Sequence, residues 1–380
     1  LYNYIYINIM ILLDIVNNNN LCDELQNDVI YNTAHITLKF INKYEDYNYG
    51  IKGIIDKPLE KDEIIEVKCS ICDFLGSGSY GKVFKIKIGK KYYAFKISEN
   101  EKPHNFKMRY ESLISVDKMK KYVIDVYVAG NFKCGKYSYF SIMEYGGVSL
   151  KSVIPINDPD ILDFVLRQLY NVSYLCLKHR LTFTDFKLNN CVVNSEYRLK
   201  LIDLYIECGS YSPCQDCRVV KTYSPMEIDK MKGILDDADY NHSYLMIPLC
   251  VGLIDLVCKK SASHIITHLG QKHGIYLGVK QMIPLIQISC FNYKHKSNES
   301  IKEYGPVYAL KKKLEKKYPD IKKQSFYEHF LNSLVVRDEY KNTLSIKKFQ
   351  MIVNCLLSAH PKERTIEPLK KHLNDNQNNS

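Results

Sequence analysis

Residues 183–203 read F-T-D-F-K-L-N-N-C-V-V-N-S-E-Y-R-L-K-L-I-D. Asp185, Lys187 and Asn190 stand at offsets 0, 2 and 5, and Asp203 comes 18 positions after Asp185. These residue types are the ones that phosphoryl transfer needs close together. A carboxylate orients the attacking hydroxyl, a cation meets the γ-phosphate, and an amide with a second carboxylate takes metal. Val192–Asn194 and Leu199–Ile202 are short strand signals around a polar turn.

Upstream, residues 76–83 read G-S-G-S-Y-G-K-V. Gly76, Gly78 and Gly81 let a hairpin backbone lie close to phosphates with its amides turned toward them. An isolated glycine pattern describes a flexible hairpin equally well. The next strand narrows the choice. Lys96 stands 13 residues after Val83 in Y-Y-A-F-K, where Ala94 and Lys96 share a strand face. A small residue there leaves room for a base, and the ammonium beside it reaches phosphate. A Walker loop differs, because its lysine lies inside the glycine loop. Glu111, 15 residues further on, is the candidate ion-pair partner that fixes Lys96. M-E-Y-G-G at 143–147 ends a strand at Glu144-Tyr145 and opens into glycines, which offers backbone groups to the edge of a base.

The pattern along the chain is a β-rich half and then an α-rich half. Strands are expected at Ala34–Ile41, around Phe84–Ile88, and at Tyr92–Ile97, Val123–Val128 and Tyr137–Glu144. Helices are expected at Asn105–Met119 and Asp160–Lys178, the latter from apolar positions at Ile161, Phe164, Val165, Leu169, Val172 and Leu175. The apolar run Ser243–Cys258 is too short for a membrane span and contains Pro248, so it reads as a buried helix. The expected fold class is α+β, with two lobes and a cleft at their junction near Gly146-Gly147.

A glycine loop, a strand lysine, a helix glutamate, a hinge, D-x-K-x-x-N and a strand-borne aspartate thus occur in one order. In this the chain resembles the eukaryotic protein kinase superfamily, over residues 70–230 and more weakly to about 370. The resemblance implies a serine/threonine protein kinase, a phosphotransferase that uses ATP and Mg²⁺, with Mn²⁺ able to substitute. It implies a small β-rich lobe over 69–145 and a larger α-helical lobe over 146–370, preceded by an extension over 1–68 and succeeded by a polar tail over 371–380.

Carried over by residue, Gly76, Ser77, Gly78, Ser79, Tyr80 and Gly81 would cover the phosphates, and Val83 and Ala94 would pack on the adenine. Glu144 and Tyr145 would line the hinge. Lys96, held by Glu111, would bind the α/β-phosphates. Asp185 would be the catalytic aspartate, Lys187 would steady the γ-phosphate, and Asn190 and Asp203 would hold Mg²⁺. Lysine at 187 is the serine/threonine pattern. K-T-Y-S-P-M-E at 221–227 resembles the end of an activation segment in casein-kinase-like and vaccinia-related kinases, and Glu227 would pair with Arg364. The long gap between those two implies an insertion within 255–345.

The chain departs from the family at Phe183-Thr184, where His-Arg is usual, and at Leu204-Tyr205, where Phe-Gly is usual. Thr184 carries no guanidinium to read a phosphate, so activity is expected not to depend on phosphorylation in 204–224. Tyr205 removes a flexible glycine and implies a stiffer segment. These departures and the AT-rich codon bias implied by abundant Asn, Lys, Ile and Tyr are similar to kinases of large DNA viruses.

Composition sets the remaining limits. The 380 residues are 46% hydrophobic, ample for a core. Thirteen cysteines, an odd number, in a chain this long point to reduced thiols and a cytoplasmic setting, the host cytoplasm or a virion on the viral resemblance. No integral membrane segment is expected. Cys69-x-x-Cys72 and Cys214-x-x-Cys217, with Cys208 nearby, are read as free thiols rather than a zinc site, and His264, His268 and His273 as unrelated histidines. The net charge of +11 comes from scattered lysines. It hints at acidic protein substrates, and no nucleic-acid-recognition motif accompanies it. The competing readings are an ATP-binding pseudokinase scaffold and a basic nucleic-acid-binding protein on a degenerate kinase fold.

Overall fold

The structure, a computed structural model, describes residues 11–16, 34–42, 64–78, 81–100, 110–111, 113–116, 118–134, 136–179, 181–183, 186–203, 206–208, 245–294, 305–358 and 364–377. It is α+β, with an N-terminal, mostly antiparallel sheet and a helical C-terminal part. The chain divides into two compact units, Leu1–Gly146 and Gly147–Ser380.

The first unit is built on β1 (Ile11–Val16), β2 (Ala34–Asn42), β3 (Ile64–Gly78), β4 (Gly81–Ile88), β5 (Lys91–Ser98), β6 (Val126–Cys134) and β7 (Tyr137–Glu144). Their order is β1-β2-β3-β4-β5-β7-β6, and parallel pairing of β1 with β6 (Leu12↔Asn131, Leu13↔Phe132) closes it into a barrel. Alternation decides which side is buried. Phe84 and Ile86 on β4, and Phe95 and Ile97 on β5, point inward with Leu38, Ile71, Phe140 and Ile142, each at most 2% exposed. Val83, Lys85, Ala94 and Lys96 therefore lie on the opposite face. Strand β3 carries two bulges. Cys72 and Leu75 have no partner in the register with β4, so the long strand bends and changes side twice.

Strands β1 and β2, within the 1–68 stretch read from sequence as an extension, belong to the same sheet as β3. Two expectations differ from the structure here. The strand expected from Val123 begins at Val126, because Lys120–Tyr122 form a 3-10 turn before it. The helix expected over Asn105–Met119 is described as helical only within Tyr110–Ile114. It ends in a turn at Ser115, and Lys118 adopts a left-handed φ of 65° that no helix continues through.

The second unit opens with β8 (Val148–Ser149) and α1 (Pro159–Lys178). Asp158 caps α1 by accepting from the amides of Asp160 (2.8 Å) and Ile161 (3.2 Å), and Pro159 fills the first turn. Then come β9 (Leu181–Phe183), β10 (Cys191–Val193), β11 (Leu199–Leu201) and β12 (Ile206–Cys208). Beyond them the described residues form seven helices: α2 (Met246–Val257), α3 (Ala262–Lys272), α4 (Val279–Lys294), α5 (Gly305–Lys317), α6 (Gln324–Ser333), α7 (Ile346–Leu356) and α8 (Glu367–Gln377). All of α2 except Asp255 is buried, the mark of a helix in the middle of a core. Residues 371–377, read from sequence as tail, continue α8, and they are held because His372 and Leu373 are buried and Arg167 donates to the Leu373 carbonyl. No helix among the described residues is long and apolar enough to cross a membrane.

Two histidines in this unit carry a pH signature. Loss of hydration holds the His329 imidazole below its ordinary range, and repulsion from Lys272 and His273 adds to it. Burial lowers His372 likewise, with Lys348 and Arg167 contributing. A folded-state pKa below the unfolded one means that the folded chain binds fewer protons. The stabilisation is then complete above the unfolded value of about 6.5 and is lost as pH falls through the folded values. The thermal midpoint of this unit is expected to be lower at about pH 5.5 than at about pH 7, and His372→Gln is expected to shrink the difference. An equal or higher midpoint at the lower pH contradicts this.

Candidate functional site

In the first unit, the hairpin of β3 and β4 carries the glycines. Gly78 pairs with Gly81 and Gly76 with Val83. A Cβ at Gly81 would lie 2.2 Å from the Ile97 carbonyl oxygen, so only glycine lets β4 approach β5 there. Gly76 has a φ of +153°, which also favours glycine. A Cβ at Gly76 or Gly78 would meet nothing within 4 Å, so open space faces the hairpin backbone, as a phosphate would require. Ser79 and Tyr80 lie outside the described residues.

Register places the other sheet residues. Val83, Lys96 and Ser141 form one row across β4, β5 and β7, and Lys85, Ala94 and Met143 form the next. Direct antiparallel partners share a face. Val83, Ala94 and Lys96 are therefore neighbours on the side away from the barrel core, with Ala94 and Met143 each 7% exposed. Lys96 is half-buried. Glu111 is exposed on the helical turn that Tyr110 ties to Asp125 Oδ1 at 3.2 Å. At the strand end, the Glu144 amide donates to the Asp125 carbonyl (2.8 Å) and its carboxylate accepts from the Asp125 amide (3.2 Å). The Glu144 amide and carboxylate are thus both engaged by Asp125. Tyr145 instead covers Lys85, whose Nζ lies 4.5 Å from its ring centroid and 4.4 Å from that of Tyr92. Sequence reading missed this cluster, because its partners are adjacent only in the sheet.

In the second unit, two antiparallel ladders fold residues 181–208 back on themselves. The inner one pairs Cys191↔Leu201, Val192↔Lys200 and Val193↔Leu199. The outer one pairs Phe183↔Ile206, Thr182↔Glu207 and Leu181↔Cys208. Because the ladders are nested, residues 186–190, which lead into β10, and Ile202 and Asp203, which follow β11, lie between the two ladders. The Ile202 amide donates to the Asn190 carbonyl at 2.9 Å, so Asn190 and Asp203 meet at the same end of the inner hairpin. Asp203 has a left-handed φ of 54°, a conformation that aspartate tolerates better than most residues. Such backbone outliers concentrate at functional sites.

The segment is anchored from both sides. Lys187 caps a 3-10 turn at Leu188–Asn190, with the Asn190 amide on its carbonyl at 2.9 Å. Leu188 packs on α2 so closely that a Cβ at Gly252 would sit 3.0 Å from its Cδ2. Phe186, next to Asp185 in sequence, is buried, as is Asn190 at 4% exposure. Buried Gln168 on α1 holds the other strand, donating to the Tyr197 carbonyl and accepting from the Leu199 amide, each at 2.8 Å. Asp185, Thr184, Leu204, Tyr205, Cys214, Cys217 and the 221–227 segment lie outside the described residues. Arg364, expected to pair with Glu227 of that segment, is buried and donates from Nε to the Ser358 carbonyl at 2.7 Å.

The donor chemistry suits Mg²⁺. An amide oxygen and a carboxylate are hard ligands, and Mg²⁺ usually takes one or two carboxylates while substrate phosphates and water supply the rest. Among the described residues no group of three or more His, Cys, Asp and Glu side chains is placed to hold a metal by itself. No protein-family model and no curated protein matches the chain.

Proposed function

We propose that the chain is a serine/threonine protein kinase, transferring the γ-phosphate of Mg-ATP to protein hydroxyls. The observation that carries this reading is the hydrogen bond from the Ile202 amide to the Asn190 carbonyl, between the two ladders, which sets the turn of Lys187 and Asn190 beside Asp203. The Val83, Ala94 and Lys96 neighbourhood beside an open glycine hairpin supports it from the first unit.

On this reading Asp185 orients the substrate hydroxyl and takes up its proton, and Lys187 meets the γ-phosphate. Asn190 and Asp203 would hold Mg²⁺, which when bound neutralises charge on the phosphates. Lys96 would hold the α/β-phosphates in line for attack, with Glu111 as its proposed ion-pair partner. The base would lie on Val83 and Ala94.

Titration with a fluorescent ATP analogue and Mg²⁺ tests the nucleotide half of the proposal. Lys96→Met is expected to weaken binding by roughly tenfold to a hundredfold, the worth of a hydrogen bond to a charged group. Unchanged affinity, or no binding by the unmodified protein, counts against it. Binding without transfer selects the pseudokinase reading.

A further inference from the structure

Lysines concentrate in one short stretch of the second unit. Residues 311–323, the end of α5 and the 3-10 turn Pro319–Lys322 that packs on it, hold seven lysines and two carboxylates. Both carboxylates are engaged within the fold. Glu315 accepts from Asn292 (2.9 Å) and faces Lys311 (3.7 Å). Asp320 is bound by His273 (3.1 Å) and Lys323 (2.6 Å). Lys313, Lys316, Lys317 and Lys322 are exposed, and Lys272, next to His273, is exposed as well. Lysines in the last turn of a helix favour its dipole, which accounts for Lys316 and Lys317. It does not account for Lys313, which stands one turn before Lys317 with like charge, nor for Lys322.

We propose that Lys313, Lys316, Lys317 and Lys322 form a docking surface for an acidic, extended segment of a protein substrate. Charge complementarity selects a polyanion. One feature favours a polypeptide over nucleic acid: the segment's one aromatic, Tyr318, is half-buried with Lys317 Nζ 5.3 Å from its ring centroid, so the segment does not interleave its lysines with exposed aromatic rings on which bases stack. The substrate role rests on the kinase reading, while the binding does not.

Fluorescence anisotropy on the full chain, with labelled poly-glutamate and with an oligothymidylate of equal charge, tests the surface. The peptide is expected to bind more tightly than the oligothymidylate and to be released by salt. The variant Lys313→Gln/Lys316→Gln/Lys317→Gln/Lys322→Gln, all exposed positions, is expected to lose about tenfold in peptide affinity. Equal binding by the variant, salt-independent binding, or tighter binding of the oligothymidylate overturns the proposal. In transfer assays the variant is expected to raise KM for an acidic substrate about tenfold, with kcat and the KM for a neutral substrate unchanged. An unchanged KM for the acidic substrate overturns the substrate role. Transfer by the unmodified protein to neither substrate defeats the kinase reading and leaves the anisotropy result to decide the surface.

Discussion

Asp203→Asn is expected to lower phosphoryl transfer by about 10²–10³-fold while leaving the fold intact. Between Phe186 and Asp203 the only other acidic residue is Glu196, which is exposed in the hairpin loop and paired with Arg198 at 2.7 Å. Among the described residues of this hairpin, Asp203 is therefore the carboxylate placed beside Asn190. Asparagine keeps the volume and, like aspartate, accepts a left-handed backbone, so the φ of 54° at this position is preserved. On the proposed reading, what is lost is a full negative charge that would face Mg²⁺. The check is a transfer assay at saturating ATP and Mg²⁺ beside a thermal melt. A variant that melts like the unmodified protein and retains transfer within tenfold of it contradicts the role of Asp203.

The second large effect is on stability. Gly147 has a φ of +106°, and a Cβ there would lie 2.0 Å from the Val193 carbonyl oxygen and 2.6 Å from its carbon. Neither neighbour is a side-chain end that swings away. Both belong to β10, which pairs with β8 through Val193↔Val148 and Val192↔Ser149 and leads back to Asn190. Gly147→Ala must separate the two strands or strain the turn, at an expected cost of about 3–5 kcal/mol in chemical denaturation. Gly89 provides the comparison. Its φ is +58°, but a Cβ there meets nothing within 4 Å, so Gly89→Ala is expected to cost only about 1–2 kcal/mol. Equal losses at the two glycines would show that close packing at Gly147 is not what requires glycine there.

Local alternation was legible where one face is dry and the other wet. Phe84 and Ile86 against Lys85 and Lys87 mark β4, and Tyr137–Glu144 was read with both ends in place. Long-range pairing was not legible. Nothing in Ile11–Val16 announces that it closes a barrel against β6, because a strand's partner is set by tertiary contacts and not by its own period. The helix over Glu367–Gln377 was not legible because residues 374–376 are polar, while His372 and Leu373 just before them are the residues that dock.

At the site, spacing in sequence pointed to the residue types, and the nested ladders supplied the reason that their segments meet. The role of Gln168 was illegible, since a glutamine 31 residues from Leu199 carries no motif until the fold brings its amide to the hairpin. The lysine run at 311–323 stands in the sequence, and the structure adds that its two carboxylates, Glu315 and Asp320, are engaged by Asn292 and His273.

The central claim, that the segment around Asp185 performs phosphoryl transfer, is tested most directly by incubating the unmodified protein and Asp185→Asn with radiolabelled Mg-ATP and a protein substrate. Label is expected in the substrate's serine or threonine residues with the unmodified protein, and a loss of about 10³-fold in rate with the variant, at unchanged nucleotide affinity. Equal labelling by both proteins would contradict it.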